Sequence, residues 1–270
     1  MSVFKSLLFV PGARPDRFDK AAAAGADAII IDLEDAVLPD EKSKARAETL
    51  GWLAGRAKGV VAGVRINSPR TADGCGDIAA LALSGSSPDF VMVPKADTAE
   101  DLEITHEALS GGARMAAVIE TARGLENAHA IAAKAPAGLL FGGADFSAEL
   151  GAELAWGPMA YARARICAAA ASAGAPAYDV PYLDVKDEAG LVAETGQSKA
   201  LGFAGRACIH PAQVKPVNAV FTPTADELKE ARAVIRSLKK TKGGAVLHNG
   251  KLVDRPVILA AERVIAQAKS

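Results

Sequence analysis

Glu120 and Asp145 each stand at the downstream end of an apolar run, in Met115-Ala-Ala-Val-Ile-Glu120 and Leu139-Leu-Phe-Gly-Gly-Ala-Asp145. If those runs are adjacent parallel strands, both carboxylates emerge at one rim of a sheet, close enough to share a hard divalent cation with its preference for oxygen ligands. On spacing alone the alternative that each caps the helix after it stays open. Other short apolar runs end in comparable chemistry: Gly12 and Arg14, then Asp32, Glu34 and Asp35, then Arg65 and Asn67, then Lys95, Asp184 and His210. Asp35 or Asp184 could cap a helix, Lys95 could pair with Glu34 or Asp35, and a lone His210 before Pro211 fits a structural histidine. So many acids and bases converging on one rim point beyond structure to a site, because unpaired buried charge is costly.

The elements that must bring these residues together are short β-type runs alternating with Ala-rich amphipathic stretches. Eight strands are expected, at Ser6–Pro11, Ala28–Leu33, Val60–Ile66, Phe90–Pro94, Met115–Ile119, Gly138–Gly142, Ala177–Leu183 and Gly205–Ile209. Helical punctuation lies between them: Pro15 near a start with Gly25 at the end, and Asp97-x-x-Glu100 as a capping box. A strand followed by a helix, eight times, predicts an α/β fold of the TIM (β/α)8 barrel type, whose chemistry gathers where the strands end. A doubly wound sheet is the alternative, but no G-x-G-x-x-G turn follows the first strand.

Composition bounds the rest. With 270 residues, 50% of them hydrophobic and 23% charged, the chain is long enough for one large barrel, 1–224, with a short C-terminal extension, 225–270. A net charge of −1 gives no basic field for nucleic acid. No run of about 18 apolar residues predicts a membrane span, and no secretory leader is legible, so a cytoplasmic protein is expected. Cys75, Cys167 and Cys208 lack metal-ligand spacing and fit a reducing compartment.

The extension reads as a charged helix over Asp226–Lys242, a hairpin over Val246–Val253 with Asn249-Gly250 as a type I′ turn, and a helix over Pro256–Ala268. From Ala225 to Ser270 there are ten Lys or Arg against five Asp or Glu. That surplus is either a solvated helix face or a cover for a barrel mouth, its own or a neighbouring subunit's, facing an anionic ligand.

Seven segments in register then carry a resemblance. They are Ser6-Leu-Leu-Phe-Val-Pro-Gly-Ala-Arg-Pro-Asp-Arg-Phe-Asp-Lys20, Ile31-Asp-Leu-Glu-Asp-Ala-Val37, Val64-Arg-Ile-Asn67, Val93-Pro-Lys95, Ile119-Glu-Thr-Ala-Arg-Gly124, Phe141-Gly-Gly-Ala-Asp145 and Ala207-Cys-Ile-His-Pro211. From about Ser6 to the last helix the chain resembles the citrate lyase beta-subunit-like family, within the wider HpcH/HpaI aldolase and malyl-CoA lyase group.

The resemblance implies a TIM barrel that assembles as a trimer or hexamer and binds Mg²⁺. It implies an enzyme that cleaves or forms a carbon–carbon bond in a citryl-, malyl- or citramalyl-CoA type thioester, giving acetyl-CoA and a 2-oxo acid. Carried over by position, Glu120 and Asp145 match the metal ligands, and Arg65 matches a substrate-contacting catalytic arginine. Phe9, Arg14 and Lys20 match contacts to the CoA end, and Ile209 with His210 a further substrate pair. Asp254, in Gly250-Lys-Leu-Val-Asp-Arg-Pro256, matches an acid/base residue that reaches a neighbouring subunit's site. Lys5 stands where many relatives carry Arg, which keeps the charge without the bidentate fork. Two variants stay open: a beta subunit acting on a carrier-protein-bound citryl thioester beside alpha and carrier subunits, and a CoA-independent pyruvate aldolase.

Overall fold

Every strand of the barrel wall pairs in parallel with its sequence neighbour, and the first pairs with the eighth, so the sheet has no edge. In the computed structural model, which describes residues 3–239, 246–248 and 251–268, the strands are β1 Ser6–Pro11, β2 Ala28–Asp32, β3 Ala62–Arg65, β4 Phe90–Val93, β5 Arg114–Ile119, β6 Gly138–Phe141, β7 Ala177–Asp179 and β8 Gly205–Cys208. All eight expected strands are present. The seventh is the one that differs most, stopping at Asp179 rather than reaching Leu183. Pro181 has no N–H to continue the ladder, and the chain turns away to line the barrel mouth instead.

Alternating side chains fill the interior. Leu7, Ile30, Met92, Val118, Leu140 and Ala207 form one buried cluster, closed at the bottom by Phe4, Phe90 and Tyr178. The Phe4 ring stacks on Phe90 at 5.8 Å and on Tyr178 at 6.3 Å. Gly63 is what admits Phe90, because a Cβ there would lie 2.2 Å from that ring.

The helices start where short hydroxyl and acidic side chains accept the free N–H groups of the first turn. Thr71 accepts from Gly74 at 3.1 Å, Thr121 from Gly124 at 2.9 Å and Asp187 from Gly190 at 2.8 Å. The capping box expected at Asp97 and Glu100 is one residue further on. Thr98 and Asp101 form it, Asp101 accepting from the Asp97 and Thr98 N–H groups, while the Asp97 carboxylate takes the Thr121 hydroxyl at 2.6 Å.

Between wall and helices lies an ionic cluster with no apolar signature in the sequence. Arg206 of β8 and Asp179 of β7 are fully buried, and they meet Arg163 and Glu194 from the helices Trp156–Ser172 and Glu188–Leu201. Arg163 Nε donates to Asp179 Oδ1 at 2.9 Å, and its guanidinium lies over the Trp156 ring at 4.6 Å. Ser198 Oγ donates to the other Asp179 oxygen. Charges buried this deeply persist only when paired, so the cluster fixes how β7, β8 and their helices seat together.

The chain divides into two compact units, one of Phe4–Asn218 and one that joins the residues from Ala219 on with those before Phe4. Within the second, the helices Ala225–Lys239 and Arg255–Gln267 bury Ala231, Val234 and Ala261 against each other with Ile235, Val257, Ile258 and Ile265. A short antiparallel pair, β9 Val246–His248 and β10 Lys251–Val253, stands where the hairpin is expected. The Asn249-Gly250 turn lies outside the described residues. No described helix is long and apolar enough to cross a membrane.

Candidate functional site

The register of β2 against β3 sets Asp32 beside Arg65 at the C-terminal rim. Arg65 Nε and Nη2 fork onto the two Asp32 oxygens at 2.7 and 2.6 Å, and Nη1 lies 3.0 Å from Glu34 Oε2. Its guanidinium also lies over the Phe9 ring at 5.2 Å. Burial alone would lower the Arg65 pKa, but the bond and charge of Asp32, with Glu34 and Glu120, raise it. A planar, fully charged fork is thereby held in one orientation. Asp32 also accepts the backbone N–H of Glu34 at 3.0 Å and of Ala36 at 3.2 Å, which shapes the acidic loop after β2. Lys42 holds that loop from behind, its ammonium bonding the Leu33 and Glu34 carbonyls at 3.0 Å each and Asn67 Oδ1 at 2.6 Å.

Glu120 follows β5 and is 3% exposed. Its Oε1 accepts the Lys95 backbone N–H at 2.6 Å, and among the described residues Oε2 accepts no hydrogen bond. Burial first, then the nearby Glu34 charge, push its carboxyl up to about 8 against the pull of Arg65 and Lys95. Burial likewise raises the Glu34 carboxyl, opposed by Arg65 and Lys95. Register pairs Ile119 with Phe141, so Glu120 lies beside Gly142. A Cβ at Gly142 would fall 2.4 Å from Glu120 Cβ and 2.5 Å from Oε2, so only glycine leaves the carboxylate its place. Asp145 sits in the first turn of the helix Gly143–Leu150, where the helix dipole favours a carboxylate, and its side chain is 46% exposed.

Neither acid is the cap of the helix that follows it. Thr121 caps the helix Ala122–Glu126, and Gly142 occupies the cap position ahead of Asp145. The open alternative from spacing is thus removed, and both carboxylates face one cleft of about 470 Å³ at the barrel mouth. Asp32, Asp35, Arg65, Glu120 and Asp145 line its charged side, and Val180, Pro181, Leu183 and Ile209 its apolar side. Gln213, 2% exposed, ties the two apolar loops together. Its amide donates to the Tyr182 carbonyl at 2.7 Å and its oxygen accepts the Ile209 N–H at 2.9 Å.

Of the residues expected from sequence, Phe9, Arg65, Glu120, Asp145 and Ile209 therefore line one cleft. Arg14, Lys20 and His210 do not line it. Arg14 is exposed and forks onto Asp16 at 2.9 and 2.8 Å, Lys20 is exposed on the helix Phe18–Ala22, and His210 Nδ1 accepts the Ala212 N–H at 3.2 Å as the cap of a 3₁₀ turn. Lys95 does pair with Glu34 and lies 3.6 Å from Asp35, as its position after β4 predicts. Asp254, in the second unit, is at the cap position of the helix Arg255–Gln267, and its side chain makes no capping bond. Lys42, Gln213 and Gly142 were not foreseen; only the Gly-Gly pair before Asp145 hinted at a close approach.

The donor set fits a hard divalent cation. Five carboxylates, Asp32, Glu34, Asp35, Glu120 and Asp145, meet two bases at the rim, Arg65 and Lys95, and among the described residues Glu120 Oε2 accepts no hydrogen bond. Among the described residues no group of three or more His, Cys, Asp or Glu forms a closed metal cage. Mg²⁺ is commonly held by one or two protein carboxylates while other oxygens complete its shell, so Glu120 with Asp145 suffices.

Comparison with known proteins is consistent along the whole length. Residues 5–211 match the family described as HpcH/HpaI aldolase/citrate lyase, and residues 160–270 match C-C bond lyases of the TIM-barrel fold. An L-malyl-CoA/beta-methylmalyl-CoA lyase of Cereibacter sphaeroides is 33% identical over 97% of this chain and 93% of its own. A (3S)-malyl-CoA thioesterase of the same organism is 36% identical over 99% and 95%. The crystal structure of CitE from Mycobacterium tuberculosis in complex with magnesium, acetoacetate and coenzyme A superposes with a TM-score of 0.85 at 35% identity, covering 100% of this chain and 99% of that one.

Proposed function

Because the chain belongs to the HpcH/HpaI aldolase/citrate lyase family and is, with that family, a carbon–carbon lyase, we propose that it cleaves or forms a 3-hydroxyacyl-CoA thioester in a Mg²⁺-dependent reaction. The products of cleavage are acetyl-CoA and a 2-oxo acid. The observation that carries this reading is Glu120: a buried carboxylate with an oxygen free of donors, beside Asp145 on a cleft that also holds a fixed arginine fork.

Glu120 and Asp145 would hold the cation, and when bound it lowers the pKa of the substrate hydroxyl and polarises the neighbouring carboxylate. Cleavage releases the hydroxyl proton to solvent, breaks the bond between the hydroxyl-bearing carbon and the carbon next to the thioester, and leaves the electron pair on the thioester as an enolate. Arg65, oriented by Asp32 and backed by Phe9, presents a preorganised positive charge to oxygens that gain negative charge in that step. The apolar lining of Val180, Pro181, Leu183 and Ile209 limits water around the reacting carbon. Delivery of a proton to the enolate carbon completes acetyl-CoA, and Asp254 is assigned that task on its motif and on a carboxyl uncommitted to its own helix.

Glu120→Ala and Asp145→Ala should each abolish metal-dependent turnover while circular dichroism stays native; full activity in either would refute the metal assignment. Asp254→Asn mixed with Arg65→Ala should regain activity if the active unit is an oligomer with shared sites. No recovery in proven mixed oligomers would mean that Asp254 serves its own barrel or none. The thioesterase relative supports a second reading, hydrolysis of the thioester at the same site, distinguished by whether CoA and a hydroxy acid appear instead of acetyl-CoA and a 2-oxo acid.

A further inference from the structure

Lys95 is the residue through which the acids of the rim meet. It follows Pro94 at the end of β4 and adopts φ 47°, a left-handed conformation that costs a non-glycine residue energy and persists only where its surroundings enforce it. That backbone aims its N–H at Glu120 Oε1, 2.6 Å away. Its ammonium donates to Glu34 and stands 3.6 Å from Asp35 Oδ1 and 3.8 Å from Asp145 Oδ2. The other base at the rim, Arg65, is taken up by Asp32 and Glu34 and approaches Asp35 only to 4.0 Å. Among the described residues, Lys95 is thus the one cation paired with Asp145.

We propose that the Lys95 ammonium is the resident counter-cation of this rim, occupying at Asp145 the charge that a divalent cation supplies, so that metal binding displaces it from Asp145 and its presence lowers metal affinity. The proposal rests on the metal reading above. A lysine that merely fastened the loop after β2 through Glu34 would have the opposite signature, since losing it would loosen the acids and weaken metal binding. A counter-cation repels an incoming divalent ion, and near a protein surface that repulsion, screened by the 42% exposure of the Lys95 side chain, corresponds to about tenfold in Kd.

The test is calorimetric titration of Mn²⁺ and Mg²⁺ into the EDTA-stripped full chain, read as Kd without any turnover. Lys95→Met should bind Mn²⁺ about tenfold more tightly than the unmodified protein, with a lower melting temperature in EDTA and a larger rise on adding metal. Lys95→Gly, which accepts a positive φ without strain and also lacks the ammonium, should tighten binding in the same direction even if the Met variant folds poorly. Lys95→Arg should keep the original Kd within about threefold. Equal or weaker binding in natively folded Met and Gly variants, with clear binding in the unmodified chain, overturns this proposal alone. Binding by none of the proteins overturns it together with the metal reading.

Discussion

Replacing Glu120 by Gln removes a buried ionisable group while keeping its size and its ability to accept the Lys95 N–H. In the metal-free protein that change should stabilise the fold. Glu120 has its carboxyl pushed from the usual 4.5 to about 8, so the folded chain holds this proton more firmly than the unfolded chain does. Such a group contributes stability that is complete below about pH 4.5 and lost as pH rises toward 8. At 1.36 kcal/mol per pKa unit the ceiling is about 5 kcal/mol. Glu120 opens onto a cleft whose water solvates part of the charge, so about 2 kcal/mol at pH 8 is expected for Glu120→Gln, a rise of roughly 4–8 °C in melting temperature. The assay is thermal unfolding by circular dichroism in EDTA at pH 5, 6.5 and 8. The gap should widen with pH and nearly close at pH 5, and Mg²⁺ should then stabilise the unmodified protein and not the variant. A variant less stable at pH 8, or a gap indifferent to pH, would refute the account of Glu120 as a carboxylate strained by burial.

Three further outcomes follow from the same geometry. Mn²⁺ affinity should climb with pH up to about 8 with one proton released per ion, because the metal takes the deprotonated carboxylate; calorimetry in buffers of different ionisation enthalpy counts that proton. Gly142→Ala drives a methyl to within 2.4 Å of Glu120 Cβ and should cost about 1–3 kcal/mol of stability and at least about tenfold in metal affinity, read by urea unfolding and by titration. Asp179→Asn strips the buried Arg163 and Arg206 of a shared charge and should cost about 3–5 kcal/mol in urea unfolding, far from the cleft chemistry; a loss under about 1 kcal/mol would show the cluster to be dispensable.

The barrel was legible because its strands are buried on both faces and so appear as apolar runs, each closed by charge where the rim begins. Glu120 and Asp145 stand out for that reason, and Arg65 does too. Boundaries were less legible where a competing rule acts: Pro181 ends β7 early, and Thr98 with Asp101 takes the capping box because Asp97 is engaged by Thr121. The contacts of Lys42 with Asn67, of Gln213 with Tyr182 and of Arg206 with Glu194 join residues 25, 31 and 12 apart, and no local periodicity encodes them. Arg14 illustrates the converse, a motif position whose side chain closes a local fork with Asp16 two residues away.

The central claim is a metal-dependent carbon–carbon cleavage at the Glu120–Asp145 rim. Its most direct measurement is an assay of the purified protein with Mg²⁺ against malyl-, citramalyl- and citryl-CoA, following the released 2-oxo acid and acetyl-CoA, with EDTA as control. The account predicts stoichiometric 2-oxo acid and acetyl-CoA from at least one thioester, abolished by EDTA and absent in Glu120→Ala. Free CoA with an intact hydroxy acid, or turnover indifferent to EDTA, would contradict it.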